Sequence, residues 1–301
     1  MQLLIPLIGI KSYIQLREIA LVICYADIGI TSPWDFFLSA RFKSDSIIKD
    51  KRKIYVFPYK PEDVFKISKN IEPEVFTLGD TGNVVVTIDN FYEDPDTIRD
   101  IILNTPYPIW KHNENSRNFI DYYDCRQFFS VPYEQPLNLI KYIAKEIMGI
   151  EILNTDIEFI TNLFKLINDQ PFLSQPHPHD DGIRLASLVT FNTDEECSGG
   201  TAFYKSISPP FEHMSPDPAE YEKISNQVYS ADKEWEDGTN YFSQSYAKDW
   251  ELIEVVEAKY NRLLIYPGIY FHGAWHEHNA FKEHFRVNQV MFFENVQYPD
   301  V

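Results

Sequence analysis

The feature that most constrains this chain is a succession of short runs rich in β-branched and aromatic residues, each bounded by turn formers. They are NVVVTID from Asn83, LASLVTFN from Leu185, TAFYKS from Thr201, WELIEVVE from Trp250, RLLIYP from Arg262 and FRVNQVMFF from Phe285. Such side chains fit a pleated, half-buried surface, and runs of this length read as strands. KIYVF from Lys53 and EFITNLFKLI, Glu158 to Ile167, read the same way. Helical spacing is found in two places. Ile98, Ile101 and Ile102 recur in PDTIRDIILNT behind an acidic first turn, and Leu137, Ile140, Ile143, Ile147 and Met148 form one stripe over Gln135 to Met148. Two helices among many strands predict a mainly β, α+β protein built on an antiparallel sandwich or barrel.

No linker divides residues 53–301, which read as one domain. Residues 1–52 carry no clean period and end in the charge-rich SDSIIKDKRK, so they read as an extension. Residues 206–249, rich in Pro, Ser, Asp and Glu with interspersed tyrosines, are too long for a simple loop and read as an insertion or lid.

Composition sets the excluded classes. With 44% hydrophobic and 15% aromatic residues the chain can bury a large core, which sets it apart from disordered sequences. The formal charge of −18 argues against a nucleic-acid partner, because such binding needs a basic stripe on the phosphates. Cys24, Cys125 and Cys197 are odd in number and far apart, with no CxxC pair, which fits a reducing, cytoplasmic setting. The apolar stretch Ile19 to Ile30 is about a dozen residues and contains Asp27, whereas a spanning helix needs roughly 20, so no membrane span is expected.

The chemistry concentrates in two histidine-bearing segments, QPHPHDDG and YPGIYFHGAWHEH. On extended chain, residues two apart face the same way, so His179 and Asp181 can offer an imidazole and a carboxylate to one metal. A third ligand from a distant strand, His272, would complete two histidines and one carboxylate on one face of an octahedral ion. That arrangement leaves open positions and suits non-haem Fe(II) with dioxygen. Arg286 opens the last long strand and shares a face with Asn288, Val290 and Phe292. A guanidinium at the mouth of an apolar barrel is costly to bury without an anion, and a dicarboxylate would supply one through a bidentate pair.

The order PHDD, FN, GGTAFY, NRLLIYPGIYFHG, FRVNQVMFF resembles the Fe(II)- and 2-oxoglutarate-dependent dioxygenase superfamily, most closely its prolyl-4-hydroxylase-like branch. The resemblance spans roughly residues 176–293, and NVVVTIDNFYEDPDTIRD is similar to the entry strand and helix of that domain. It implies a double-stranded β-helix, or jelly roll, with flanking helices. It implies Fe(II) on His179, Asp181 and His272, with 2-oxoglutarate and dioxygen as co-substrates. Arg286 matches the residue that binds the distal carboxylate of 2-oxoglutarate, and Asn288 falls where some members place a small hydroxyl residue. The implied activity is hydroxylation of an unactivated C–H bond in a small-molecule or peptidyl substrate.

Alternatives stay open at this level. His276 stands at a shorter distance from Arg286 than His272 does and is a substitute ligand. A non-catalytic cupin-like barrel would keep the metal residues but has no need of Arg286. HPHDD nearly spells the HxHxDH of metallo-β-lactamase-like hydrolases, but Gly182 stands where that motif needs its last histidine. His177, His278 and His284 read as surface or supporting residues. Substrate and oligomeric state are not encoded in any motif.

Overall fold

In the computed structural model the last long strand, Arg286–Phe293, is buried along nearly its whole length. A strand with an apolar or neutral residue at almost every position is suited to the middle of a sheet covered on both faces. The structure describes residues 54–55, 60–80, 82–104, 125–130, 132–167, 178–193, 195–196, 198–229, 249–275 and 286–299. The chain divides into two compact units, residues 1–56 and 57–301. In the first, Ile54–Tyr55 are extended strand. All other elements belong to the second.

Its strands are β1 (Pro73–Leu78), β2 (Asn83–Ile88), β3 (Cys125–Ser130), β4 (Ile160–Ile167) and β5 (Leu185–Thr190). They continue with β6 (Gly200–Ile207), β7 (Trp250–Glu257), β8 (Leu263–Pro267), β9 (His272–Trp275) and β10 (Arg286–Phe293). The helices are α1 (Pro61–Val64), α2 (Pro95–Asn104), α3 (Glu134–Glu146) and α4 (Pro218–Val228). The protein is thus mainly β, with few helices. No helix among the described residues is long and apolar enough to cross a membrane.

The larger sheet runs β3-β4-β10-β5-β8-β2-β1 and every neighbouring pair in that run is antiparallel. The smaller sheet runs β7-β6-β9, also antiparallel, and Pro210–Phe211 folds back onto the end of β6. Strand register sorts the side chains. Asn288 stands opposite Lys165 and Thr190, and Phe292 opposite Thr161 and Ala186. Residues opposite one another share a face. Leu188 meets Val290 and Leu264, and Ala186 meets Tyr266, so this face carries Arg286, Asn288, Val290, Phe292, Leu264 and Tyr266 toward the smaller sheet. There Ala186, Leu264 and Tyr266 join Ala202, Phe203 and Phe271 in one core.

The opposite face is covered by the helical layer. Phe65 stacks on Tyr133 at 4.0 Å between ring centroids and lies 6.0 Å from Phe164 of β4. Helices α2 and α3 bury Ile98, Ile101, Ile102, Leu137, Ile140 and Ile143, all six from the predicted stripes. Asp94 starts α2 by accepting from the Thr97 amide at 3.1 Å. Ile147 and Met148, expected inside the second helix, lie just past its last residue. Strands β1, β3 and β9 are additions to the sequence reading. The burial of β1 shows why: five of its six residues are exposed or half-buried, so it carries no apolar period.

Residues 206–249 were read as one insertion. Their described part holds the Pro210–Phe211 pairing and helix α4, whose N-cap Asp217 accepts from the Ala219 and Glu220 amides at 3.0 and 2.9 Å. Residues 1–52, the cysteine side chains, and His177, His276, His278 and His284 lie outside the described residues.

One turn ties the start of β8 to the segment that follows β2. Asn261, at φ 58°, precedes β8 in the left-handed region that asparagine tolerates better than most residues. Its amide accepts from the Tyr92 N–H at 2.9 Å and donates to the Tyr92 carbonyl at 2.8 Å, both buried. Asn261→Ala removes two buried bonds and adds backbone strain. Urea unfolding should show a loss of about 3 kcal/mol; a loss below about 1 kcal/mol would mean the turn tolerates alanine.

Candidate metal centre

Where the chain leaves β8 of the larger sheet it turns through Gly268–Phe271 and enters β9 of the smaller one at His272. The sequence reading placed His272 just past a strand end; the structure places it at the first residue of a new strand. His272 and His179 form an antiparallel bridge, with the His179 amide donating to the His272 carbonyl at 2.9 Å and the reverse bond at 2.8 Å. The Asp181 amide donates to the Gly268 carbonyl at 2.7 Å. These backbone bonds bring the predicted pair and the predicted third residue together.

His179, Asp181 and His272 each offer one ligand atom, and all of these atoms lie within 4.8 Å of one another. The His272 Nε2 is 3.1 Å from Asp181 Oδ2, and the two imidazole centroids are 4.6 Å apart. Two metal bonds of about 2.1 Å at right angles separate their donor atoms by about 3 Å. The His–Asp edge therefore already has the dimension of a cis edge in an octahedral site. The His272 Nδ1 lies 2.8 Å from the Tyr270 carbonyl, which holds the Nδ1–H and turns Nε2 toward Asp181. Two nitrogens and a carboxylate oxygen suit a first-row divalent ion.

The electrostatics fit a built site. Burial pushes the Asp181 carboxyl up, but the His272 imidazolium in contact with it, helped by His179 and Lys165, brings it down to about 2. Burial pushes His272 down; the Asp181 carboxylate and the Tyr270 carbonyl outweigh it and hold the imidazole above its ordinary value. The Tyr266 ring lies 4.7 Å from that of His272, and burial followed by the Asp181 charge raises its phenol well above the usual range. Arg286 pulls that phenol the other way.

Arg286 and Asn288 are not part of the three-residue cluster. Arg286 is buried on the inner face at the far end of β10, and its Nη2 donates to the Gly200 carbonyl at 3.5 Å. Asn288 is buried beside it, and its Oδ1 has no hydrogen-bond partner among the described residues. An amide turned by 180° presents its NH2 at the same place, so the position can serve a ligand acceptor or donor.

Two features escaped the sequence reading. Tyr266 could have been found, since it alternates with Leu264 in RLLIYP and shares its inward face. The second is Asp180, whose carboxylate accepts from the hydroxyls of Tyr221 and, at 3.0 Å, Tyr229, both on or just past α4. The signal for α4 was present as D-P-A-E at Asp217, a capping residue with Glu three positions on. Beside α4 lies an open cavity of about 980 Å³, lined among others by Ile183, Phe211, Glu212, His213, Ile224 and Tyr298.

Residues 152–284 match the model of a family of unknown function (DUF6445), a span that includes the three converging residues and ends before Arg286. No curated protein matches the chain. Among solved structures, the chain is similar to the non-haem alpha-ketoglutarate-dependent epimerase SnoN from nogalamycin biosynthesis, at 12% identity and a TM-score of 0.35, covering 72% of this chain and 81% of that one. The carbocyclase SnoK of the same biosynthesis is similar at 12% identity and 0.35, covering 71% and 81%. EvdMO1 is similar at 11% identity and 0.33, covering 74% of this chain and 55% of that one. Likenesses of this degree assign no activity.

The carboxylate–imidazole pair has a pH signature in the metal-free protein. The depressed Asp181 pKa gives stability that is full above the ordinary 3.8 and is lost as pH falls toward about 2. The raised His272 pKa gives stability that is full below 6.5 and is lost as pH rises through its folded value. Asp181→Asn leaves burial as the main influence on the imidazole. NMR titration should then find His272 below 6.5 instead of above it; an unmoved titration would mean the pair does not interact.

Proposed function

We propose that this protein is an Fe(II)- and 2-oxoglutarate-dependent oxygenase, a hydroxylase of an unactivated C–H bond in a small-molecule or peptidyl substrate. The observation that carries the reading is the convergence of His179, Asp181 and His272 on one ligand position, with a buried guanidinium on the inner face of the larger sheet. The sheet orders support a double-stranded β-helix: β4, β10, β5 and β8 stand side by side in one layer, β7, β6 and β9 in the other, and the His179–His272 bridge extends the second. In that architecture the site lies between the layers.

In this reading His179, Asp181 and His272 would hold the iron. Bound iron and 2-oxoglutarate supply the oxidation of the substrate C–H bond, coupled to decarboxylation of the co-substrate to succinate. Arg286 pairs with the distal carboxylate. Its partner carbonyl belongs to Gly200, three residues from Phe203, the register partner of His272. At about 3.3 Å per residue the offset is about 10 Å, a distance suited to a short dicarboxylate anchored at one end near the ion. Tyr266, its phenol raised by burial and by the Asp181 charge, stays protonated beside His272 and can donate a hydrogen bond there. Leu264, Val290 and Phe203 wall the site with apolar surface, which limits water and strengthens each ionic contact. Gly200 is required where it stands, because a Cβ there would meet the Val256 carbonyl oxygen at 2.1 Å.

The test is an anaerobic titration of the full chain with Fe(II) and then 2-oxoglutarate, following the weak visible charge-transfer absorption of the chelate. The parent should develop the band, His179→Ala and Asp181→Ala should bind no iron, and Arg286→Ala should need at least about ten times more 2-oxoglutarate, the loss expected for one buried ionic partner. A parent without the band, or an Arg286→Ala variant with unchanged 2-oxoglutarate affinity, would leave a metal-binding barrel of another kind.

A further inference from the structure

We infer that α4 is a positioning element of the metal centre: Tyr221 and Tyr229 hold Asp180, and through it the backbone that carries His179 and Asp181. The inference rests on the proposed metal site. It starts from alternation. Asp180 lies between the two predicted ligands, so its side chain leaves the opposite face of the extended segment, away from the metal position. There both carboxylate oxygens are occupied. Oδ1 accepts from the Tyr221 hydroxyl and from the Gly182 amide at 2.8 Å, and Oδ2 accepts from the Tyr229 hydroxyl at 3.0 Å.

Phenol-to-carboxylate bonds are charge-assisted and about twice as strong as neutral ones. They hold the segment from one side, while the bonds from His179 and Asp181 to His272 and Gly268 hold its backbone from the other. This bears directly on His179, an exposed residue whose ring lies 4.6 Å from that of His272. The Gly182 bond also fixes the turn directly after Asp181, at a residue with φ 81°. The two tyrosines are themselves anchored: Tyr229 packs against Trp250 and Phe271 at 6.5 and 6.3 Å, and α4 is capped by Asp217. The same helix lines the 980 Å³ cavity with Asp217, Glu220 and Ile224. It thus bears on the ligand segment along one edge and on the cavity along another. Residues behind metal ligands are worth roughly 10- to 100-fold in metal affinity in well-studied sites.

The experiment is a Co(II) titration of the full chain, read by visible absorption, on the parent, Tyr221→Phe, Tyr229→Phe, the double variant and Tyr92→Phe. Phenylalanine keeps each ring and removes only the hydroxyl. Tyr92 is the control, because its buried hydroxyl donates to Gln289 at 2.8 Å on the face away from the metal. The double variant should weaken Co(II) binding roughly 10- to 100-fold and alter the intensity of the visible bands, with each single variant in between. Tyr92→Phe should lower the melting temperature and leave Co(II) affinity as in the parent. If the double variant does not fold, the two single variants decide by the same criterion. Folded variants with parental affinity and spectrum overturn the positioning role while leaving the metal site standing. A parent whose Co(II) binding survives His179→Ala overturns the metal site itself, and the positioning role with it.

Discussion

Everything near the site depends on one reciprocal pair of backbone hydrogen bonds, between His179 and His272. Residues far apart in the chain are held at the spacing of neighbouring strands, so that their side chains start from adjacent points of one surface. No side-chain interaction could do this alone, since an imidazole has two or three rotamers and little holding power. Once the bridge exists, the Asp181 amide finds the Gly268 carbonyl, and the carboxylate falls against the His272 ring. The turn that makes this possible is close-packed: a Cβ on Gly268 would lie 2.8 Å from the Arg184 carbonyl oxygen and 2.9 Å from that of Gly182.

A second constraint is the placement of charge inside an apolar sandwich. The inner face of the larger sheet carries Arg286, Asn288 and Thr190 among Leu188, Leu264 and Val290, and all six are buried or nearly so. A protein built only for stability would fill such a face with hydrocarbon, because burying an ion is costly without a partner. On the outer face Tyr92, Gln289 and Asn162 form a hydrogen-bonded chain. On the inner face the Asn288 Oδ1 has no hydrogen-bond partner among the described residues.

Much of this was legible in the sequence, for identifiable reasons. Strands β2, β5 to β8 and β10 have strong β-branched or alternating signals, and α2 and α3 have clean apolar stripes with acidic first turns. The HxD pair could be placed because alternation on extended chain is a local rule. What was not legible depends on partners distant in sequence. Strand β1 lies at a sheet edge with mostly exposed side chains, so only its pairing with β2 makes it a strand. Strand β9 is four residues long and reads as the tail of β8 until the chain is seen to change sheets. The role of Asp180 was invisible for the same reason: nothing near it in sequence announces two tyrosines 41 and 49 positions away.

Helix α4 has a consequence for how such a chain can diversify. A segment inserted between two strands of a sandwich is usually the part of a protein that evolution edits most freely, because its removal leaves the layers intact. Here the insertion also grips Asp180, the residue between His179 and Asp181, so its sequence answers to two demands. Exchanging it wholesale to reshape the neighbouring cavity would carry the tyrosines away with it. Variation is therefore cheapest on the cavity-facing edge, at Glu220 and Ile224, where a new side chain alters the wall without touching Tyr221 or Tyr229.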